Sequence, residues 1–436
     1  MSERRVAITG FGAVTPFGAG RECFREGLFQ GRSAASLITA FDASTLPTHF
    51  AASVPVPEDE LNALVRNQKS LKTLTRAAKF AVIAADEAVA DSGLDANVVD
   101  PYRMGVSMGS GGVGLWDLEH SDQMFQLVVD SLDNGNERKL NSAVVWRDSL
   151  EKFNPLTALK ALPNMIAAHL AINHRARGNC QTIANACTSA TQAIGEAYRL
   201  IKAGIADQMI CGGADSMIHP YGLVGFSALG VLSKNNAEYR SAARPFDRRR
   251  DGFMLGEGAA IFVLEGLDDC LRRGAEPYGE VVGYAGSCDA YRLTDEPPKA
   301  WGSIQAMRRA LADARLNPDQ INYINAHGTG TPMNDKTETF AIKSVFQDWA
   351  RSLPVSSTKS MIGHLAAAAG AVEFGACVAA LDDQMIPPTI NYQEPDDACD
   401  LDYVPNRARP ARLDAIMTNS FGFGGQNACL IMRKLQ

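Results

Sequence analysis

The chain has 436 residues, 46% of them hydrophobic and 21% charged, and a net charge of -7. That length and balance exclude a disordered chain and allow two ordinary domains or one large duplicated unit. Net acidity argues against bulk nucleic-acid binding, and the longest small-apolar stretch, His364 to Leu381, contains Glu373 and reads as a buried helix rather than a membrane span.

Met1 to Gly10 passes from a short charged start into an apolar run too short for the core of a signal peptide. It reads as a buried strand, and nothing directs the chain out of the cytoplasm. Further short apolar runs follow at Met104 to Met108, Gln208 to Cys211, Ala260 to Leu264, Tyr323 to Asn325, Ile416 to Thr418 and Cys429 to Met432. Helical periodicity lies between them, as at Leu71 to Asp91 and Ala306 to Ala314. Such alternation predicts an α/β protein with a mainly parallel sheet and helices on its faces. The nine cysteines form no CxxC pair, so neither a disulfide framework nor a zinc site is expected.

An internal repeat is visible. Asp251 to Leu264 (DGFMLGEGAAIFVL) matches Asn419 to Met432 (NSFGFGGQNACLIM), each a Gly-rich turn feeding an apolar strand. Cys187 and His364 each open a helix of small residues, which predicts two helices buried side by side. Both elements recur in the same order, pointing to duplication with a boundary between Gly266 and Pro277.

Cys187, in Ala-Asn-Ala-Cys-Thr-Ser-Ala, stands at a strand-to-helix junction. Free N–H groups and the helix dipole there favour a thiolate and could hold an oxyanion. A plain buried cysteine remains an equal reading of that motif alone. His327 lies in a turn just past a strand (NAHGTGTP), and His364 at the start of the second small-residue helix, with Lys359 five residues before it. Each histidine alone is more often a hydrogen-bonded core residue. Their shared placement at element ends, with a lysine beside an apolar helix, favours chemistry. The glycines of Asn419-Ser-Phe-Gly-Phe-Gly-Gly-Gln-Asn allow close backbone approach, with Phe421 and Phe423 placed to cover what approaches. No Gly-Lys-Ser/Thr phosphate cradle ends this run, and Gly10-Phe-Gly lacks the dinucleotide fingerprint.

Taken together, RRVAITGFGAVTPFG, ACTSA, RPFDRRRDGFMLGEGAA, NAHGTGTPMNDKTET, VSSTKSMIGHLAAAAGAVE and NSFGFGGQNA resemble the β-ketoacyl-acyl carrier protein synthases of the elongating type. The resemblance covers nearly the whole chain and is close to the type II polyketide ketosynthases. It implies a thiolase-like fold: duplicated βαβαβαββ halves in a five-layer αβαβα arrangement. Residues 1–265 would carry the nucleophile and 266–436 both histidines. By similarity, Cys187 accepts the acyl chain, while His327 and His364 hydrogen-bond the malonyl thioester and stabilise its enolate. Lys359 matches a lysine near the second histidine. Glu373 would pair with it or order the site, as would Asp335 and Glu338.

The backbone N–H groups of Cys187 and Phe423 would form the oxyanion hole. Thr329 and Thr331 look like pantetheine contacts, Phe226 like a wall of the acyl pocket, and Phe423 like its gate. No bound cofactor or metal is implied, because phosphopantetheine arrives on the acyl carrier protein. A homodimer is implied, or a heterodimer with a chain-length-factor-like subunit. Two features depart from the family pattern: a longer segment from Trp116 to Phe153, and Gly112 where a larger apolar residue is usual, which hints at a roomier pocket. Competing readings are a degradative thiolase, lacking here its second cysteine, a non-catalytic partner, and a non-condensing acyltransferase. Lys69, Lys72, Arg76 and Arg248 to Arg250 could meet an acidic carrier, although solvated helix faces and internal ion pairs are the plainer reading.

Overall fold

The structure, a computed structural model, describes residues 4–95, 99–111, 118–130, 132, 141–152 and 154–435. Gly112 therefore lies outside the described residues, as do 116–117, 131, 133–140 and 153 of the long segment.

Ten strands run through the main sheet among the described residues: β1 (Val6–Thr15), β2 (Met104–Ser110), β3 (Cys180–Ile183), β4 (Gln208–Ser216), β5 (Glu257–Gly266), β6 (Gly279–Cys288), β7 (Tyr323–Asn325), β8 (Val355–Ser356), β9 (Ala415–Gly422) and β10 (Gln426–Arg433). Their order is β8-β7-β9-β10-β6-β1-β5-β4-β2-β3, and a two-residue strand, Gly18–Ala19, folds back on β1. The order 3-2-4-5-1 thus occurs twice, running inward from each edge to an antiparallel seam at Val6 to Ile8 and Gly279 to Val281. In each half the first three pairings are alike: the second strand is parallel to the third and fourth, and the fifth is antiparallel to the fourth. The expectation of a mainly parallel sheet is corrected: four of the nine neighbouring pairs are parallel and five, through the middle of the sheet, are antiparallel. Helices cover both faces of these central strands, and burial makes them continuously apolar whatever their direction.

Five layers result. Helix α1 (Arg76–Ser92) covers the first half-sheet, and α3 (Trp301–Ala314) with α4 (Pro332–Phe346) covers the second. Between the half-sheets lie α2 (Ser189–Lys202) and α5 (Ala369–Asp383), which touch each other and both sheets. Their small residues allow this. A Cβ on Gly370 would stand 1.9 Å from Thr191 Oγ1, so nothing larger than glycine fits the seam. The same steric logic accounts for Gly10 and Gly12, where a Cβ would meet the carbonyls of Ala88 and Ala84 in α1 at 2.1 Å. These glycines serve helix packing, in keeping with the absent dinucleotide fingerprint.

The helix expected from Leu71 begins instead at Arg76. Thr75 caps it by accepting from the Ala78 N–H, and Gln68–Thr73 forms a separate 3-10 turn. Within the long segment, helices Leu118–Asp130 and Ser142–Lys152 pack together, joined by an ion pair from Lys152 to Asp130 (3.0 Å). The first of them also packs on helix Pro220–Ala228, which carries Phe226. No helix among the described residues is long and apolar enough to cross a membrane.

Candidate active site

Strand β3 leads into a 3-10 turn, Ala186–Thr188, and then α2. Ala186 has φ 48°, a left-handed conformation that costs a non-glycine residue of order 1–3 kcal/mol. Ser189 Oγ bridges the turn, accepting from Asn185 N–H (2.8 Å) and donating to Ala186 O (2.6 Å). This bend presents Cys187 at the floor of a cavity of about 430 Å³. His327, His364, Phe226, Phe423, Thr329 and Thr331 line the same cavity.

Cys187 Sγ lies 3.0 Å from His364 Nε2, and the backbone N–H groups of Cys187 and Phe423 both reach the sulfur. Burial nevertheless pushes the thiol up to about 11, against the pull of Lys359 and those two amides. The expectation of a thiol held below its ordinary value is therefore corrected: in the resting site desolvation outweighs the amide and dipole attraction.

His364 also departs from expectation. It does not open α5 but lies ahead of it, paired as an isolated bridge with Leu255 and hydrogen-bonded through its own N–H to Met254 O (2.7 Å). The residue that matches Cys187 is Ala367, in a second 3-10 turn, Ala366–Ala368, whose first alanine has φ 47°.

The ring of His364 is fixed by two contacts. Phe253 packs edge-on at 5.0 Å, and the Ala366 N–H donates to Nδ1 at 3.2 Å. Because Nδ1 accepts, the ring proton resides on Nε2, facing the cavity. At His327, 5.5 Å away between ring centres, Lys359 Nζ approaches Nδ1 at 3.4 Å and donates to the backbone carbonyl at 2.7 Å. An amine with only protons to offer makes that Nδ1 an acceptor too. Burial, then Lys359, holds both histidines well below their usual value, so both are neutral. Two neutral Nε2–H donors thus converge near one thiol.

The sulfur and the two imidazoles lie close enough to suggest a metal cluster, their ligand atoms falling within 4.8 Å of one another. The donor set does not fit a cation. A metal-binding imidazole needs its remote nitrogen to donate, whereas here both Nδ1 atoms receive protons and both Nε2 lone pairs are committed to N–H bonds.

Glu373, Glu338 and Asp335 stand behind the histidines. Glu373 forms a buried ion pair with Lys359, and burial pushes its carboxyl up to about 7 against the lysine's pull. Glu338 accepts from the N–H groups of His327 (2.9 Å) and Gly328 (2.7 Å), and from Asn419 Nδ2 (3.3 Å). Asp335 accepts from the N–H groups of Gly330 (3.0 Å) and Phe246 (2.7 Å). These carboxylates hold the 327–331 loop from beneath. Thr329 and Thr331 hydroxyls bond each other at 2.9 Å, and Thr331 caps α4 by accepting from Asn334 N–H. The Phe423 turn depends on Gly424 (φ 88°) and Gly425 (φ 79°), and Gly424 N–H donates to Leu293 O (2.7 Å) in a loop over the cavity mouth. That loop, Asp289 to Glu296, and the Phe253 contact had no local signal in the sequence. Of the basic residues, Arg76 is held by Glu257 and Glu58, and Arg250 by Asp396, whereas Lys69, Lys72 and Arg248 are exposed.

Comparison with known proteins agrees with this geometry. Residues 3–270 match the family Beta-ketoacyl synthase, N-terminal domain, and residues 278–393 match Beta-ketoacyl synthase, C-terminal domain. The 3-oxoacyl-[acyl-carrier-protein] synthase 2 of Synechocystis sp. is 41% identical over 436 residues, 100% of this chain and 99% of that one. Among solved structures, the ishigamide ketosynthase/chain length factor superposes with a TM-score of 0.87 at 33% identity, covering 100% of both chains. A type II PKS acyl-carrier protein in complex with its ketosynthase bound to the hexaketide gives 0.85 at 30%, again covering 100% of both. With a thiol and two neutral imidazoles in one cavity of a thiolase-like fold, the chain belongs to the β-ketoacyl synthase family and is a condensing ketosynthase.

Proposed function

We propose that Cys187 carries the growing acyl chain and that His327 and His364 drive decarboxylation of a malonyl thioester delivered by an acyl carrier protein. The observation that carries this reading is the pair of Nε2–H donors, each fixed by a donor at its Nδ1. In the first step Cys187 Sγ attacks the incoming thioester carbonyl. The acyl group passes to the sulfur, and the thiol proton leaves with the phosphopantetheine thiol, so no net proton is consumed. In the second, the malonyl carbon–carbon bond breaks, CO2 departs with neither bonding electron, and the enolate oxygen takes the charge between the two N–H donors.

The enolate carbon then attacks the acyl-Cys187 carbonyl. The N–H groups of Cys187 and Phe423, already aimed at the sulfur, hold that oxyanion. Collapse releases the 3-oxoacyl thioester and the thiolate, which takes up one proton. Lys359 keeps both imidazoles neutral and its charge is balanced by Glu373, while Asp335 and Glu338 set the His327 loop. Thr329 and Thr331 meet the pantetheine arm, Phe226 walls the acyl chain, and Phe423 gates it. No cofactor or metal of its own enters this chemistry.

The boundary between halves is set at 265/266, a few residues ahead of the gap at 271–277 between the two family matches. The protein works as a dimer in the cytoplasm. Nine free thiols support that placement, and the outer edge of β3, which has no neighbouring strand among the described residues, supports that contact. Native mass distinguishes two copies from one copy with a chain-length-factor-like subunit. The test of function is intact-mass analysis after incubation with acyl-carrier protein. Cys187→Ala should gain no acyl mass, whereas His327→Ala and His364→Ala should load and then fail to condense. Acylation of the Cys187→Ala protein would remove the assignment.

A further inference from the structure

The two halves place the same turn against opposite partners. Ala186–Thr188 packs on β9 of the second half, and Ala366–Ala368 packs on β4 of the first. Counting along those strands, Gly422 and Asp215 occupy the same position, eighth from the start in each. The contrast is chemical. A Cβ on Gly422 would stand 3.4 Å from Cys187 N, so this side leaves an amide open to an oxyanion. On the other side, Asp215 Oδ2 accepts from the Ala367 N–H at 2.9 Å. The counterpart of the oxyanion site is filled from within the protein.

Asp215 is buried at 7% exposure, and its Oδ1 accepts from the Ser216 N–H at 2.9 Å. A Cβ on Gly111 would come within 2.8 Å of Oδ2, so the carboxyl is boxed in place. Burial pushes it up to about 6, against its two amide donors. Its oxygens accept from backbone N–H groups as an oxyanion in that place would.

We propose that Asp215 is a positioning residue for the condensation: by occupying this second anion site it pins the Ala366–Ala367 turn, whose Ala366 N–H holds His364 in the Nε2–H form. The inference rests on the reading of His364 as an enolate donor. Asp215 touches no substrate. Its effect passes through one peptide unit, from the Ala367 amide to the Ala366 amide and on to Nδ1 of the ring.

The test uses full-length wild type, Asp215→Ala, the near-isosteric Asp215→Asn, and His364→Ala. Three readouts are taken: acyl loading by intact mass, condensation rate, and the histidine tautomer by 15N-histidine NMR. Asp215→Ala should load Cys187 within about threefold of wild type and lose about 10²-fold in condensation, with His364 mixed between tautomers. Asp215→Asn, which keeps one oxygen acceptor, should fall between, and it supplies the answer if the alanine variant does not fold. Unchanged condensation overturns the proposal. So does an equal fall in loading and condensation, or lost condensation with His364 still wholly Nε2–H. A His364→Ala protein that condenses normally would instead refute the underlying reading, whatever the Asp215 variants do.

Discussion

The two halves repeat one topology and divide the work unequally. In the proposed mechanism the first supplies a single reactive atom, Cys187 Sγ, on a bent turn facing a glycine. The second then supplies the groups that set protonation: both histidines, Lys359, Glu373, Glu338 and Asp335. The lesson is that duplicated backbones tolerate opposite electrostatics. Where one turn leaves its amide facing a glycine, the other is closed by a carboxylate from the opposite half.

The most severe way to break the comparison is to remove an acceptor beneath the histidines. Glu338→Ala strands the N–H groups of His327 and Gly328, both buried, so stability should fall by about 3–5 kcal/mol in denaturant melts. Glu338→Gln should cost less. Removing one imidazole acts chiefly on rate: His327→Ala should lower condensation by about 10²–10³-fold, or about 3–4 kcal/mol, read against unchanged acyl loading of Cys187. At the seam between halves, Gly370→Ala forces α2 and α5 apart and should cost about 1–3 kcal/mol of stability.

The smallest effect concerns the thiol. With Cys187 pushed up to about 11, its thiolate fraction should rise about tenfold per pH unit from pH 7 to 10. Iodoacetamide labelling followed by mass should track that slope, and a plateau below pH 9 would show that the amides outweigh burial after all.

Much of this was legible in the sequence because central strands buried on both faces must be apolar along their length, whichever way their neighbours run. The runs at Met104, Gln208 and Ala260 all fall inside observed strands. Strands β3 and β8 escaped because one is a short, half-exposed edge and the other has two residues. Strand β6 escaped because its glycines dilute the apolar pattern. At the site, Cys187, His327, His364 and Lys359 stood out by residue type and motif. What no local pattern could reveal is which nitrogen bears each proton, since the Ala366 amide and Lys359 reach the rings only after folding. The thiol was misjudged for a related reason: a helix terminus is visible in sequence, but the depth of its burial is not. Asp215 left no signal either, because its partner lies in the other half.

One measurement reaches the centre of the account: CO2 release from malonyl-carrier protein by Cys187→Ala. If the histidines break the carbon–carbon bond independently of the sulfur, this variant should go on releasing CO2, yield acetyl-carrier protein once the enolate is protonated, and form no 3-oxoacyl product. Loss of CO2 release together with condensation would contradict that division of labour.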